Sequence, residues 1–140
     1  LMDRVNRVPR PAEILRIREG LAHWPVTILF GPRQVGKTTL VDGFASSPDN
    51  YFDLHQPVDR ARLEESNFRI LDSLQGIVVI DEAQQMPALL QKLRVLADRR
   101  ESTTQFILTG SVSPQISDAS AESLTGRVRR LSLSGFTLTE

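Results

Sequence analysis

The run Gly31-Pro32-Arg33-Gln34-Val35-Gly36-Lys37-Thr38 satisfies the pattern G-x-x-x-x-G-K-[ST], and it restricts the fold more than any other feature of the chain. Such a loop binds phosphate only if its successive backbone N–H groups point inward, and only glycine lets backbone approach an anion that closely. It must also be followed by a helix whose N-terminal dipole faces the anion. The flanking residues meet both demands. Val-Thr-Ile-Leu-Phe at 26–30 is a short β-rich run that reads as a buried strand, and a helix is expected from Lys37 to about Ala45, ended by Ser-Ser-Pro at 46–48. Residues Gly31 to Thr39, with Thr39 next to Thr38, are the expected phosphate cradle. Within it Lys37 suits the terminal phosphate oxygens and the Thr38 hydroxyl a Mg²⁺ ion. Arg33 sits at a variable position of the loop, where a surface role fits its side chain better than a catalytic one.

A second signal lies 44 residues beyond Lys37. Ile-Val-Val-Ile at 77–80 is the most apolar short run in the chain, as expected of a parallel strand covered on both faces, and it ends in Asp81-Glu82. Ligands gather at the carboxyl ends of parallel strands, so Asp81 fits the metal shell and Glu82 is placed to orient or deprotonate an attacking water. An acidic pair after a strand is also an ordinary solvated turn; the loop upstream, with a strand and helices between, gives it meaning. Phe-Ile-Leu-Thr-Gly-Ser at 106–111 reads as another strand, after which Thr109 or Ser111 can hold the attacking water and sense the terminal phosphate, although Thr, Gly and Ser are also common turn residues. In Gly126-Arg127, Arg127 suits a finger or sensor that neutralises charge on the transferred phosphoryl group, supplied to a neighbouring subunit. Arg129 and Arg130 read as solvated strand residues, and Tyr51 and Asp53 as structural residues of a strand at 50–54.

The rest of the chain completes an alternating pattern. Pro11 begins a short amphipathic helix that is expected to end near Gly20, before Trp24-Pro25. Residues 57–74 are polar and suit one or two surface helices. Pro87 is expected in the first turn of a helix with Leu89, Leu90, Leu93 and Leu96 on one face, and 128–136 suit a last strand. Strands alternating with helices predict a parallel α/β sheet with right-handed crossovers. Residues 1–11 read as an N-terminal tail and 12–140 as one domain, and the 40% hydrophobic content suffices for a single core.

Composition excludes more than it assigns. Lys+Arg and Asp+Glu are both 17, and the fifteen arginines do not cluster, so charge does not indicate DNA or an anionic membrane as partner. With no cysteine there is no disulfide, thiol chemistry or Cys-ligated zinc, which suits a reducing, cytoplasmic setting; His23 and His55 form no metal pair. The aliphatic runs fall far short of the roughly 20 residues that span a bilayer.

GPRQVGKTTL, VVIDEAQ with a proline three residues on, FILTGS, SLTGR and a closing GFTLTE resemble, in order and spacing, the prokaryotic AAA+ ATPases whose ATPase domain is followed by a C-terminal domain of unknown function. The resemblance covers residues 12–140. It implies a P-loop NTPase of the AAA+/ASCE type, a three-layer α/β/α fold with a five-stranded parallel sheet, the P-loop strand central and the sensor strand between it and the Walker B strand. It also implies Lys37 and Thr38 as the Walker A pair, Asp81 and Glu82 as Walker B, Ser111 or Thr109 as sensor 1, and Arg127 as the arginine, given in trans within a homo-oligomer. With no guanine-reading N-K-x-D, the implied ligands are ATP and Mg²⁺. The chain stops where the second domain is expected, so weaker nucleotide affinity and slower turnover are expected of it than of a longer parent. Glu82 favours hydrolysis coupled to conformational change over a switch that binds ATP and seldom cleaves it. A DNA-stimulated ATPase is a further alternative, and the Asp-Glu-Ala-Gln step argues against a small-molecule kinase, where a water-activating carboxylate would waste ATP.

Overall fold

The computed structural model describes residues 11–31, 37–99, 104–110 and 128–132. Helix α1 (Pro11–His23) leads into β1 (Val26–Phe30), and α2 (Lys37–Asp42) follows the glycine motif. A 3-10 turn at Pro48–Asn50 opens β2 (Tyr51–Asp53); α3 (Pro57–Glu65) and α4 (Ile70–Ser73) lead to β3 (Ile77–Asp81). A second 3-10 turn, Ala83–Gln85, precedes α5 (Leu89–Ala97), and β4 (Gln105–Gly110) and β5 (Val128–Ser132) complete the sheet. All four strand pairs are parallel and the order is β2-β3-β4-β1-β5. As expected, β4 lies between the strand that enters the glycine motif and the strand that ends in the acidic pair. The glycine-motif strand is interior, with neighbours on both sides, but the middle position belongs to β4.

Two cores flank the sheet, which makes three layers. Because side chains alternate along a strand, Val26, Ile28, Val78, Ile80, Phe106 and Leu108 face one way, onto Leu63 of α3, Leu71 of α4 and Leu89, Leu90, Leu93 and Leu96 of α5. Leu29, Val79, Ile107 and Leu131 face the other way, onto Ile17 of α1 and Val41. Burying each of the four α5 leucines contributes about 1.5–3 kcal/mol, so this helix is a principal anchor of its face.

The structure moves several expected boundaries. Pro11 is the first residue of α1, not the last of a tail, and residues 1–10 lie outside the described residues. Gly20 does not end the helix, which runs on to His23. A Cβ built on Gly20 would lie 2.8 Å from Thr27 Oγ1, so glycine serves there to let α1 approach β1. Helix α2 stops at Asp42 before Gly43, and α5 begins two residues after Pro87, whose carbonyl accepts from Leu90 N–H at 3.1 Å. The polar stretch 57–74 does form two helices. A Schellman motif ends the first: Asn67, at φ 52°, donates to the Glu64 carbonyl at 3.0 Å and Phe68 N–H to the Leu63 carbonyl at 2.7 Å.

Strand β2 is an edge, and its outward backbone groups are all used. In a parallel pair alternate residues bond the neighbour, and since Leu54 N–H bonds Asp81, it is Tyr51 and Asp53 that turn away from β3. Tyr51 N–H donates to the Pro48 carbonyl, and the Tyr51 carbonyl accepts from Arg62 Nη1 at 3.5 Å. Asp53 N–H donates to Asp59 Oδ2 at 2.9 Å, and its carbonyl accepts from Gln56 N–H at 2.9 Å. The pair Asp59 and Arg62, one turn apart on α3, thus stands in for a further strand and closes the edge to outside pairing. At the opposite end of β2, buried Asn50 donates to the carbonyls of Gln75 and Ile77 at 2.8 and 3.1 Å and ties the start of β2 to that of β3.

Candidate functional site

The parallel sheet brings the carboxyl ends of β1, β4, β3 and β2 side by side. Register pairs Leu29 with Thr109 and Phe30 with Gly110, and Gly31 N–H extends that ladder one step by donating to the Gly110 carbonyl at 3.2 Å. On the other side of β4, Ile80 pairs with Leu108, so Asp81 emerges beside Thr109. The start of the glycine motif and the acidic pair therefore stand on the same edge of the sheet, two strand spacings or roughly 10 Å apart. Residues 32–36, the side chains of Lys37, Thr38 and Thr39, and all of Ser111 and Arg127 lie outside the described residues.

Asp81 is buried and gripped from two strands. Tyr51 Oη on β2 donates to its Oδ2 at 3.0 Å, and Thr109 Oγ1 on β4 donates to its Oδ1. Both donors are neutral, so they orient the carboxylate without cancelling its charge. The same Thr109 oxygen accepts the Glu82 backbone N–H at 3.0 Å. One fully buried hydroxyl thus joins the two members of the acidic pair. Glu82 needs this support because its φ of 62° and ψ of 51° put it in the left-handed region, which costs a side-chain-bearing residue of order 1–3 kcal/mol. The twist turns the chain out of β3 at Glu82, whose side chain is itself buried.

The Glu82 side chain has partners of its own. Gln84 Nε2 donates to its Oε2, and His55 Nε2 lies 3.9 Å from the same oxygen, a contact that becomes an ion pair when the imidazole is protonated. Burial of the Tyr51 hydroxyl, then the negative charge of Asp81 and its hydrogen bond, and lastly Asp53 and Asp42, push the phenol far above its ordinary range. Tyr51 is therefore a permanent donor to Asp81.

Among the residues foreseen for the site, the structure brings Gly31, Asp81, Glu82 and Thr109 to one edge. Between the two hydroxyls offered as the sensor, it describes Thr109 alone, and both hydrogen bonds of that hydroxyl go to the acidic pair. Tyr51, His55 and Gln84 were not foreseen as site residues. Tyr51 stood on a strand with no visible link to Asp81; only the register that sets Asp53 beside Asp81 reveals that its ring, two residues earlier, reaches the carboxylate.

Among the described residues no three His, Asp or Glu side chains group as a metal cage. A nucleotide-bound Mg²⁺ does not need one: it keeps waters and phosphate oxygens and takes one or two carboxylates from protein. A buried carboxylate oriented by neutral hydroxyls, at the edge where the glycine motif starts at Gly31, fits that requirement. No described helix is long and apolar enough to cross a membrane.

The fold defines a P-loop NTPase, a nucleotide-binding class built on a parallel α/β sheet. Solved structures show the same fold: the Walker-type ATPase PABY2304 of Pyrococcus abyssi matches with a TM-score of 0.61 at 19% identity over 94% of this chain and 55% of its own. The P-loop NTPase domain of the Sigma-54 transport activator from E. coli matches at 0.51 and 15% identity, over 94% of this chain and 99% of its own. The chain belongs to the AAA domain family, whose family model matches residues 23–140. It is 44% identical over 124 residues to Rv2008c of Mycobacterium tuberculosis and to Mb2031c of Mycobacterium bovis, a stretch that covers 88% of the chain and 28% of each relative. The chain thus corresponds to just over a quarter of the length of these curated relatives.

Proposed function

We propose that the domain binds ATP with Mg²⁺ and hydrolyses it to ADP and phosphate. The observation that carries this reading is the Thr109 hydroxyl: it joins Asp81 to the backbone of Glu82 on the strand that pairs with the entrance to the glycine motif. In this reading the amides of residues 31–36 cradle the phosphates, with Lys37 on the β- and γ-phosphate oxygens. Thr38 and Asp81 would hold Mg²⁺, which supplies neutralisation of charge on those oxygens. Glu82 orients a water in line with the γ-phosphate and takes its proton, Ser111 or Thr109 senses that phosphate, and Arg127 reaches the same group in a neighbouring subunit. The name Walker-type ATPase borne by the Pyrococcus abyssi protein is consistent with hydrolysis. The curated relatives are several times longer than this chain, and the turnover is read as driving conformational change in a larger protein.

Glu82→Gln tests the reading. It preserves shape and hydrogen bonding but removes the base, so ATP binding should persist while kcat falls about 10²- to 10⁴-fold, the usual worth of general base catalysis. An unchanged kcat would exclude Glu82 from the chemistry. One observation favours a slow switch as the second reading: the Gln84 amide holds the Glu82 carboxylate. If that bond restrains the base, Gln84→Ala raises kcat; if Gln84 helps to aim it, kcat falls.

A further inference from the structure

We propose that Tyr51 is a positioning residue for the nucleotide-bound metal, setting the affinity of the site for its divalent cation by fixing which oxygen of Asp81 faces it. The inference rests on the reading of Asp81 as the Walker B metal carboxylate, and adds a residue from the edge strand to that site. A carboxylate at the end of a strand rotates about its last bond, and each orientation offers a metal a different lone pair. Asp81 is held at both oxygens, by the Tyr51 hydroxyl at 3.0 Å on Oδ2 and by Thr109 on Oδ1. Two donors on opposite oxygens, from the strands on either side, restrict that rotation.

The support behind Tyr51 is as well anchored as the bond itself. Its backbone N–H and carbonyl are tied by Pro48 and Arg62, and its ring packs into the α1-side core with Leu29, Val79 and Ile107. Asn50, the residue before it, is pinned to the start of β3 by two hydrogen bonds. The phenol therefore reaches Asp81 from a rigid base, which is what distinguishes a positioning group from a chance contact. Groups behind a metal ligand of this kind typically change metal affinity or activity by about 10- to 100-fold when removed.

The test is Tyr51→Phe, which keeps the ring in the core and removes only the hydroxyl. The Mg²⁺ concentration for half-maximal ATP turnover should rise about 10-fold, while ATP binding in EDTA and the thermal midpoint stay close to the parent values. Thr109→Val should also raise the Mg²⁺ requirement, and the double variant should lose less than the product of the two single losses, because both donors act on one carboxylate. Mn²⁺, bound more tightly by oxygen and nitrogen ligands than Mg²⁺, should restore part of the Tyr51→Phe turnover at low metal. A half-maximal Mg²⁺ concentration within twofold of the parent overturns the role of Tyr51 and leaves the ATPase reading intact. A parent chain whose turnover ignores Mg²⁺ overturns both.

Discussion

Two aspartates on this chain are held in opposite ways. Asp72, on α4, is a surface carboxylate met by cations, with Lys92 Nζ at 2.9 Å and Arg99 Nη2 at 3.2 Å from the same oxygen. Those partners, the Lys92 hydrogen bond first, hold its carboxyl below the usual range. Asp81 is buried at the end of β3 and takes hydrogen bonds from two neutral hydroxyls, one on each oxygen. The first arrangement staples α4 to α5 and its following turn. The second costs desolvation, which its hydrogen bonds offset in part, and places the carboxylate at the carboxyl end of a parallel strand.

The strongest way to break the contrast is to neutralise each carboxylate. Asp81→Asn should lower ATP turnover by about 100-fold or more, beyond the range for groups that only orient a ligand, with the fold retained by circular dichroism. Next comes the hydroxyl between the acidic pair. Thr109→Val is nearly isosteric but strands the Glu82 N–H in a buried site, so a loss of about 1–3 kcal/mol in denaturant unfolding is expected along with reduced turnover. Retention of full stability would show that Glu82 holds its left-handed turn without Thr109. The smallest effect belongs to the surface aspartate: Asp72→Asn should cost at most about 1 kcal/mol, diminish further in high salt and leave turnover unchanged. Because its folded pKa is depressed, the contribution of Asp72 is present above the unfolded value near 4 and lost as pH falls through the folded one. The difference in stability between parent and Asp72→Asn should accordingly vanish in acid and not in alkali.

The same contrast separates what was legible in the chain from what was not. Strands at 26–30, 77–80 and 106–110 were visible because parallel strands buried on both faces are nearly continuous apolar runs, and the glycine motif and Asp81-Glu82 announced themselves at their ends. The leucine face of α5 was equally clear from its spacing. Boundaries were not: Gly20 looks like a helix stop, yet it is a contact point with Thr27 whose meaning depends on a strand that follows it in the chain. Tyr51 and its bond to Asp81, 30 residues away, were invisible for the same reason, since nothing local records which strands become neighbours. Thr109 was singled out as a hydroxyl at a strand end, but its two bonds to the acidic pair depend on the β3-β4 register.

Calorimetric titration of ATP into the parent, Lys37→Ala and Asp81→Asn, each with Mg²⁺ and with EDTA, tests most directly whether the glycine cradle and the acidic pair act on one nucleotide. The expected result is that Lys37→Ala weakens binding under both conditions, whereas Asp81→Asn abolishes only the gain in affinity that Mg²⁺ confers. Equal Mg²⁺ enhancement in the parent and in Asp81→Asn would contradict a shared nucleotide–metal site.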